Sequence, residues 1–163
     1  MKVTAQIRFA ADPAATFAVL ADQGFQEEVC RATGSVGTEV SVEQSADGAT
    51  IRTSRELPTA DFPDFVKKFV GDTVHVVRVD SWGPAAADGA RDGTITVEIK
   101  GAPVRLTGTI TLRADGAGTV EDVEGDLKAS VPLVGGKIEK AVAPSIRGAV
   151  GKEQEVGARW LAR

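Results

Sequence analysis

Four residues in this chain carry side chains able to do acid–base, nucleophilic or ion-pair chemistry at positions where the surrounding pattern is apolar: Glu153, Arg55, His75 and Cys30. Glu153 interrupts the stripe Ile138, Val142, Ile146, Ala149, Val156 and Trp160. At the helical angle per residue these positions fall within roughly 80° of one another, and the acid lies inside that arc. A carboxylate on the buried side of a helix is solvated at a cavity mouth, paired with a cation, or held as a general acid or base with a raised pKa. Arg55 alternates in phase with Ile51, Thr53 and Leu57, which points it inward near a strand end. There it can pair with Glu153 and fix the helix on the sheet, or sit at the rim. His75, the sole histidine, shares a strand face with Val77 and Val79. Such a residue is read either as a hydrogen-bonded core or rim group or as a base.

Other chemistries find little support. One histidine and one cysteine, far apart in the chain, do not build a zinc site without several carboxylates. The acids fall mostly on strand phases read as outward, among them Glu98, Glu121, Asp122 and Glu124. No metal and no cofactor is expected. Cys30 falls in an early helix, no Ser/His/Asp spacing is recognisable, and the chain has no tyrosine to act as an acid or oxyanion donor. No residue is assigned as catalytic.

The bulk composition sets the scale of the fold that must hold these groups. With 163 residues, 42% hydrophobic and 26% charged, the chain suits one domain spanning 1–163 with a sizeable core. A formal net charge of −4 argues against the clustered Lys and Arg that nucleic-acid binding needs, so nucleic acid is not an expected partner. A single cysteine forms no internal disulfide and requires no oxidising compartment. The first residues alternate polar and apolar instead of forming a signal-peptide core, and no run approaches the roughly 18 apolar residues of a membrane span. A cytoplasmic chain without stable membrane insertion, a monomer or homodimer, is the expectation.

Period-2 alternation of Val3, Ala5, Ile7 and Phe9 marks a first strand. Asp12-Pro13 caps a short helix near 13–21, and a second follows near 23–31 after Gly24 interrupts the pattern. Alternation returns at Val36, Thr38, Val40 and Val42, turns at Ala46-Asp47-Gly48, and resumes through Leu57. Asp61 and Pro63 start a short amphipathic helix whose Phe62, Phe65, Val66 and Phe69 share one side. It is a satellite on the core, a lid over a cavity mouth, or a contact for a partner or membrane surface. Four further strands, from Thr73 to Val131, are joined mostly by hairpin-like turns, giving seven in an antiparallel sheet. Gly135-Gly136 supplies backbone angles closed to other residues, so that the chain turns sharply into a long helix from Lys137 to Arg163. No Gly-x-Gly-x-x-Gly or Walker pattern accompanies the double glycine, so it is read as a turn and not as a phosphate cradle. Pro144, opposite the apolar stripe, should bend or loosen that helix.

A strand, two short helices, six strands and a long terminal helix together resemble the START-like, or helix-grip, superfamily over essentially the whole chain. More narrowly, Leu57-Pro58, the Phe62–Gly71 segment, Trp82 and above all Val131-Pro132-Leu133-Val134-Gly135-Gly136-Lys137-Ile138-Glu139 resemble an actinobacterial family of uncharacterised function within it. The resemblance implies an α+β helix-grip fold: a curved seven-stranded antiparallel sheet with the C-terminal helix packed across its concave face. It also implies binding of an apolar small molecule or lipid between the two. The residues placed at that site are Arg55, Phe62, Phe65, Phe69, His75, Ile138, Val142, Ile146, Ala149, Glu153 and Val156. The superfamily reuses one cavity for transfer, sensing and catalysis. A polyketide cyclase or aromatase-like enzyme using Glu153, His75 or Arg55 is therefore the alternative, and a co-chaperone-like interaction module presenting Phe62 to Phe69 is the second.

Overall fold

A computed structural model describes residues 1–163. The chain runs β1 (Lys2–Phe9), α1 (Pro13–Leu20), α2 (Gln23–Ala32), β2 (Gly37–Ser45), β3 (Gly48–Pro58), α3 (Asp64–Val70), β4 (Thr73–Trp82), β5 (Arg91–Lys100), β6 (Val104–Asp115), β7 (Gly118–Ala129) and α4 (Gly135–Leu161). The seven strands form one curved sheet in the order β1-β7-β6-β5-β4-β3-β2, every neighbouring pair antiparallel. Only β1 lies beside a strand distant in sequence. The α1–α2 pair therefore carries the chain from one sheet edge, β1, to the other, β2. This is the α+β helix-grip arrangement, with α4 lying across the inner face.

Local chemistry explains the element ends. The Asp12 side chain accepts from the Ala15 amide and Pro13 occupies the first turn of α1, where its missing N–H costs nothing. Asp22 caps α2 in the same way through the Phe25 amide. The core forms where the inner phases of the strands meet the helices, with Val3, Ile7, Phe9, Ile110, Leu112, Phe25 and Val156 all buried. Two edge-to-face aromatic contacts tie the layers together: Phe17 of α1 against Trp82 of β4, and Phe25 of α2 against Trp160 of α4.

The entry to α4 differs from the expectation. Gly135 and Gly136 lie in ordinary helical backbone as the first residues of α4, and the left-handed residue is Leu133, with φ 70° and its side chain fully in solvent. Gly135 serves closeness and not torsion: a Cβ there would sit 2.4 Å from the Ala129 carbonyl oxygen at the end of β7. Pro144 lies inside α4 on its solvent side, where the lost N–H faces water.

Candidate functional site: a cavity under the terminal helix

Between the inner face of the sheet and the middle of α4 lies a cavity of about 490 Å³. Its floor includes Val3, Val76, Ile95, Leu106, Val123 and Leu127, and α4 closes it with Val142, Ile146 and Ala149. Exposed lining residues mark where it opens: Gly34 after α2, Pro58 at the end of β3, Ala60 and Asp61 before α3, and Ser145, Gly148 and Lys152 along α4. Nineteen of the 28 lining residues are hydrophobic, so a ligand's apolar body would find matching surface over most of the wall.

Two arginines interrupt that wall, Arg55 on β3 and Arg78 on β4. The β3–β4 register pairs Arg55 with Val76 and Thr53 with Arg78, which makes the two guanidinium-bearing positions diagonal neighbours on the inner face. Arg78 is saturated by acids. Its Nε donates to both Asp80 carboxylate oxygens at 2.9 and 3.0 Å, Nη2 donates to Asp80 Oδ2 at 2.7 Å, and Nη1 donates to Glu153 Oε2 at 2.9 Å. Arg78 and Asp80 are two apart on one strand and so share its inner side, whereas Glu153 descends from α4. The pair joins helix to sheet at a point where the Glu153 side chain is only 1% exposed. Burial pushes the Asp80 carboxyl above its ordinary pKa even with Arg78 beside it, while the same two acids hold the Arg78 guanidinium firmly charged.

Glu121 on β7 adds a third buried acid. It is 1% exposed, and neither carboxylate oxygen has a hydrogen-bond partner in the protein. Burial first, and the neighbouring Glu153 charge second, push its pKa well above the usual carboxylate range. Arg55 is treated differently from Arg78. Its Nη1 donates to Thr33 Oγ1 at 3.0 Å, its Nε has no partner, and no carboxylate lies within ion-pair distance. Cys30, buried in α2, has its thiol pushed upward by burial, which disfavours the reactive thiolate.

Residues 4–161 match the sequence profile of a family described as "Protein of unknown function (DUF2505)". The chain belongs to the DUF2505 family. An uncharacterized protein of Mycobacterium tuberculosis, Rv0481c, is 26% identical over 121 residues, covering 72% of this chain and 69% of its own. Among solved structures, the Zhui aromatase/cyclase from Streptomyces sp. R1128 superposes with a TM-score of 0.63 at 11% identity, covering all of this chain and 94% of its own. The STAR-related lipid transfer protein from Xanthomonas axonopodis gives 0.60 at 16% identity, covering 98% and 85%. At these identities the likeness is one of fold alone: the DUF2505 chain shares its helix-grip architecture with these two proteins.

Of the residues singled out from the DUF2505 sequence, Arg55, Phe62, Val142, Ile146 and Ala149 line the cavity. Ile138 and Val156 are buried in the continuous core beside it, not in its wall. Phe65 is half-buried against the core and Phe69 is 44% exposed, so α3 turns its aromatic side only partly inward. His75 lies on the opposite face of the sheet, exposed, hydrogen-bonded to Ser54 and 3.8 Å from the Glu56 carboxylate. The convergence of Glu153, His75 and Arg55 at one pocket that the enzyme alternative requires is therefore not formed. Of the two readings of Arg55, the pair with Glu153 is not formed; Glu153 pairs with Arg78 instead.

Three residues escaped the sequence reading: Arg78, Asp80 and Glu121. Glu121, an acid expected on the outward phase, shares the phase of Val123, Leu127 and Ala129, which the structure buries. That phase was the available signal. For Arg78 and Asp80 the signal was ambiguous, because both phases of β4 carry valines: Val74 and Val76 on one, Val77 and Val79 on the other.

Proposed function

We propose that this protein binds or carries an apolar small molecule or lipid in the cavity between the sheet and α4. The observation that carries the reading is the cavity itself: about 490 Å³, hydrophobic over most of its wall, and reached from solvent between α2, the β3–α3 connection and α4. A side-chain-filled interior would leave no such volume, and pockets for small ligands typically run to roughly 300–1,000 Å³. Two structural neighbours are named for a lipid-transfer protein and an aromatase/cyclase, which is consistent with an interior used for apolar organic molecules.

The test is displacement of the neutral fluorophore N-phenyl-1-naphthylamine, combined with native mass spectrometry and lipid extraction of protein purified from its host. Saturable one-to-one fluorophore binding is expected. Ala149→Trp, which places an indole into the cavity from α4, should weaken it about tenfold or more while the variant still unfolds cooperatively. Fluorophore binding unchanged by Ala149→Trp, with no co-purifying apolar molecule, would overturn the reading.

A further inference from the structure

We propose that the ligand of this cavity is amphipathic, an apolar body ending in a carboxylate, and that Arg55 receives that carboxylate. The inference rests on the cavity-binding reading above and adds the chemical class of the ligand.

The argument begins with the contrast between two arginines on one wall. A guanidinium carries five N–H donors in a planar fork. On Arg78 that fork is spent on Asp80 and Glu153. On Arg55 one hydrogen bond, to the neutral hydroxyl of Thr33, is all that the protein supplies, although the residue is only 9% exposed. Its Nε is buried without a partner and the residue lines the cavity. A buried cation without a partner carries a large desolvation cost.

The nearby acids relieve it only in part, from beyond ion-pair distance. Asp80 and Glu153 are committed to Arg78, and the Glu56 side chain belongs to the outer face beside His75. Asp61, at the cavity mouth, makes no ion pair with Arg55. Glu121, the remaining buried acid, lies on β7, four strands from β3 in the sheet order. Burial disfavours its charged form. Burial also lowers the Arg55 pKa, which an incoming anion would reverse. A planar carboxylate matches the geometry of a guanidinium fork and brings the missing charge. The hydrophobic remainder of the wall then accommodates the rest of the molecule.

The experiment displaces N-phenyl-1-naphthylamine with decanoate, decan-1-ol and methyl decanoate at pH 8, using the wild type, Arg55→Gln and Arg55→Lys. Wild type should bind decanoate roughly 10- to 100-fold tighter than the alcohol or ester, the range expected for charged hydrogen bonds in a dry site. Arg55→Gln should bring the three within about threefold of each other, chiefly through lost decanoate affinity, and Arg55→Lys should keep part of the preference. If Arg55→Gln fails to fold, the wild-type preference and its reduction in Arg55→Lys decide the matter. Equal binding of all three by wild type, or an undiminished decanoate preference in a folded Arg55→Gln, would overturn the inference while leaving the cavity reading intact. Failure of the fluorophore and all three competitors to bind would overturn both.

Discussion

Arg78 Nη1 donates to Glu153 Oε2 across 2.9 Å, joining the middle of the sheet to the last third of α4 inside the protein. Because Asp80 occupies the other donors of the same guanidinium, the three residues form one buried unit. Removing one member leaves buried charge less fully compensated. Glu153→Gln should cost about 2–3 kcal/mol, since Arg78 keeps Asp80. Arg78→Met should cost more, about 3–5 kcal/mol, because two buried carboxylates lose their common partner. Replacing all three with apolar residues of similar size should recover most of that loss. Urea denaturation of the three variants checks the order.

Glu121 should make stability fall as pH rises. Its folded-state pKa is raised above the unfolded value, so the folded protein holds its proton more tightly. The associated stabilisation is complete below the ordinary glutamate pKa, about 4.3, and is lost as pH climbs through the folded-state value. Asp80 contributes with the same sign. Glu121→Gln abolishes the Glu121 part. The variant should match wild type in mildly acidic solution and exceed it increasingly from about pH 5 upward, as followed by urea midpoints across pH. A difference that shrinks with rising pH would contradict this account.

Gly157 allows α4 to approach β1. A Cβ on it would lie 2.7 Å from Phe9 Cε1 and 3.0 Å from Cδ1, and the Phe9 ring is buried and cannot step aside freely. Gly157→Ala should therefore destabilise by about 1–3 kcal/mol despite the better helix propensity of alanine. Gly151, six residues earlier in the same helix, has open space where its Cβ would be. Gly151→Ala should stabilise by about 0.5–1 kcal/mol. Thermal unfolding of the two variants should move in opposite directions.

Local signals written into the chain were sufficient for its elements and their order. Period-2 alternation marked the strands, Asp12-Pro13 and the break at Gly24 marked the two short helices, and the 3.6-residue stripe with Glu153 inside it marked α4 as the element that covers the sheet. These features depend on neighbours a few residues away, which a sequence displays directly. The inward phase of Arg55 on β3 was legible for the same reason.

Tertiary structure alone decided which face of β4 turns inward. Both of its phases are apolar enough to be buried, so the choice depends on how β3 and β5 pair with it and on where α4 lands. That choice put Arg78 and Asp80 under the helix and His75 outside, and it gave Glu153 a partner 75 residues away in the chain. The close approaches at Gly135 and Gly157, and the volume left beneath α4, likewise arise from how whole elements pack. No local pattern encodes those distances, because each is set by surfaces that meet only once the sheet has curved and the helix has closed over it.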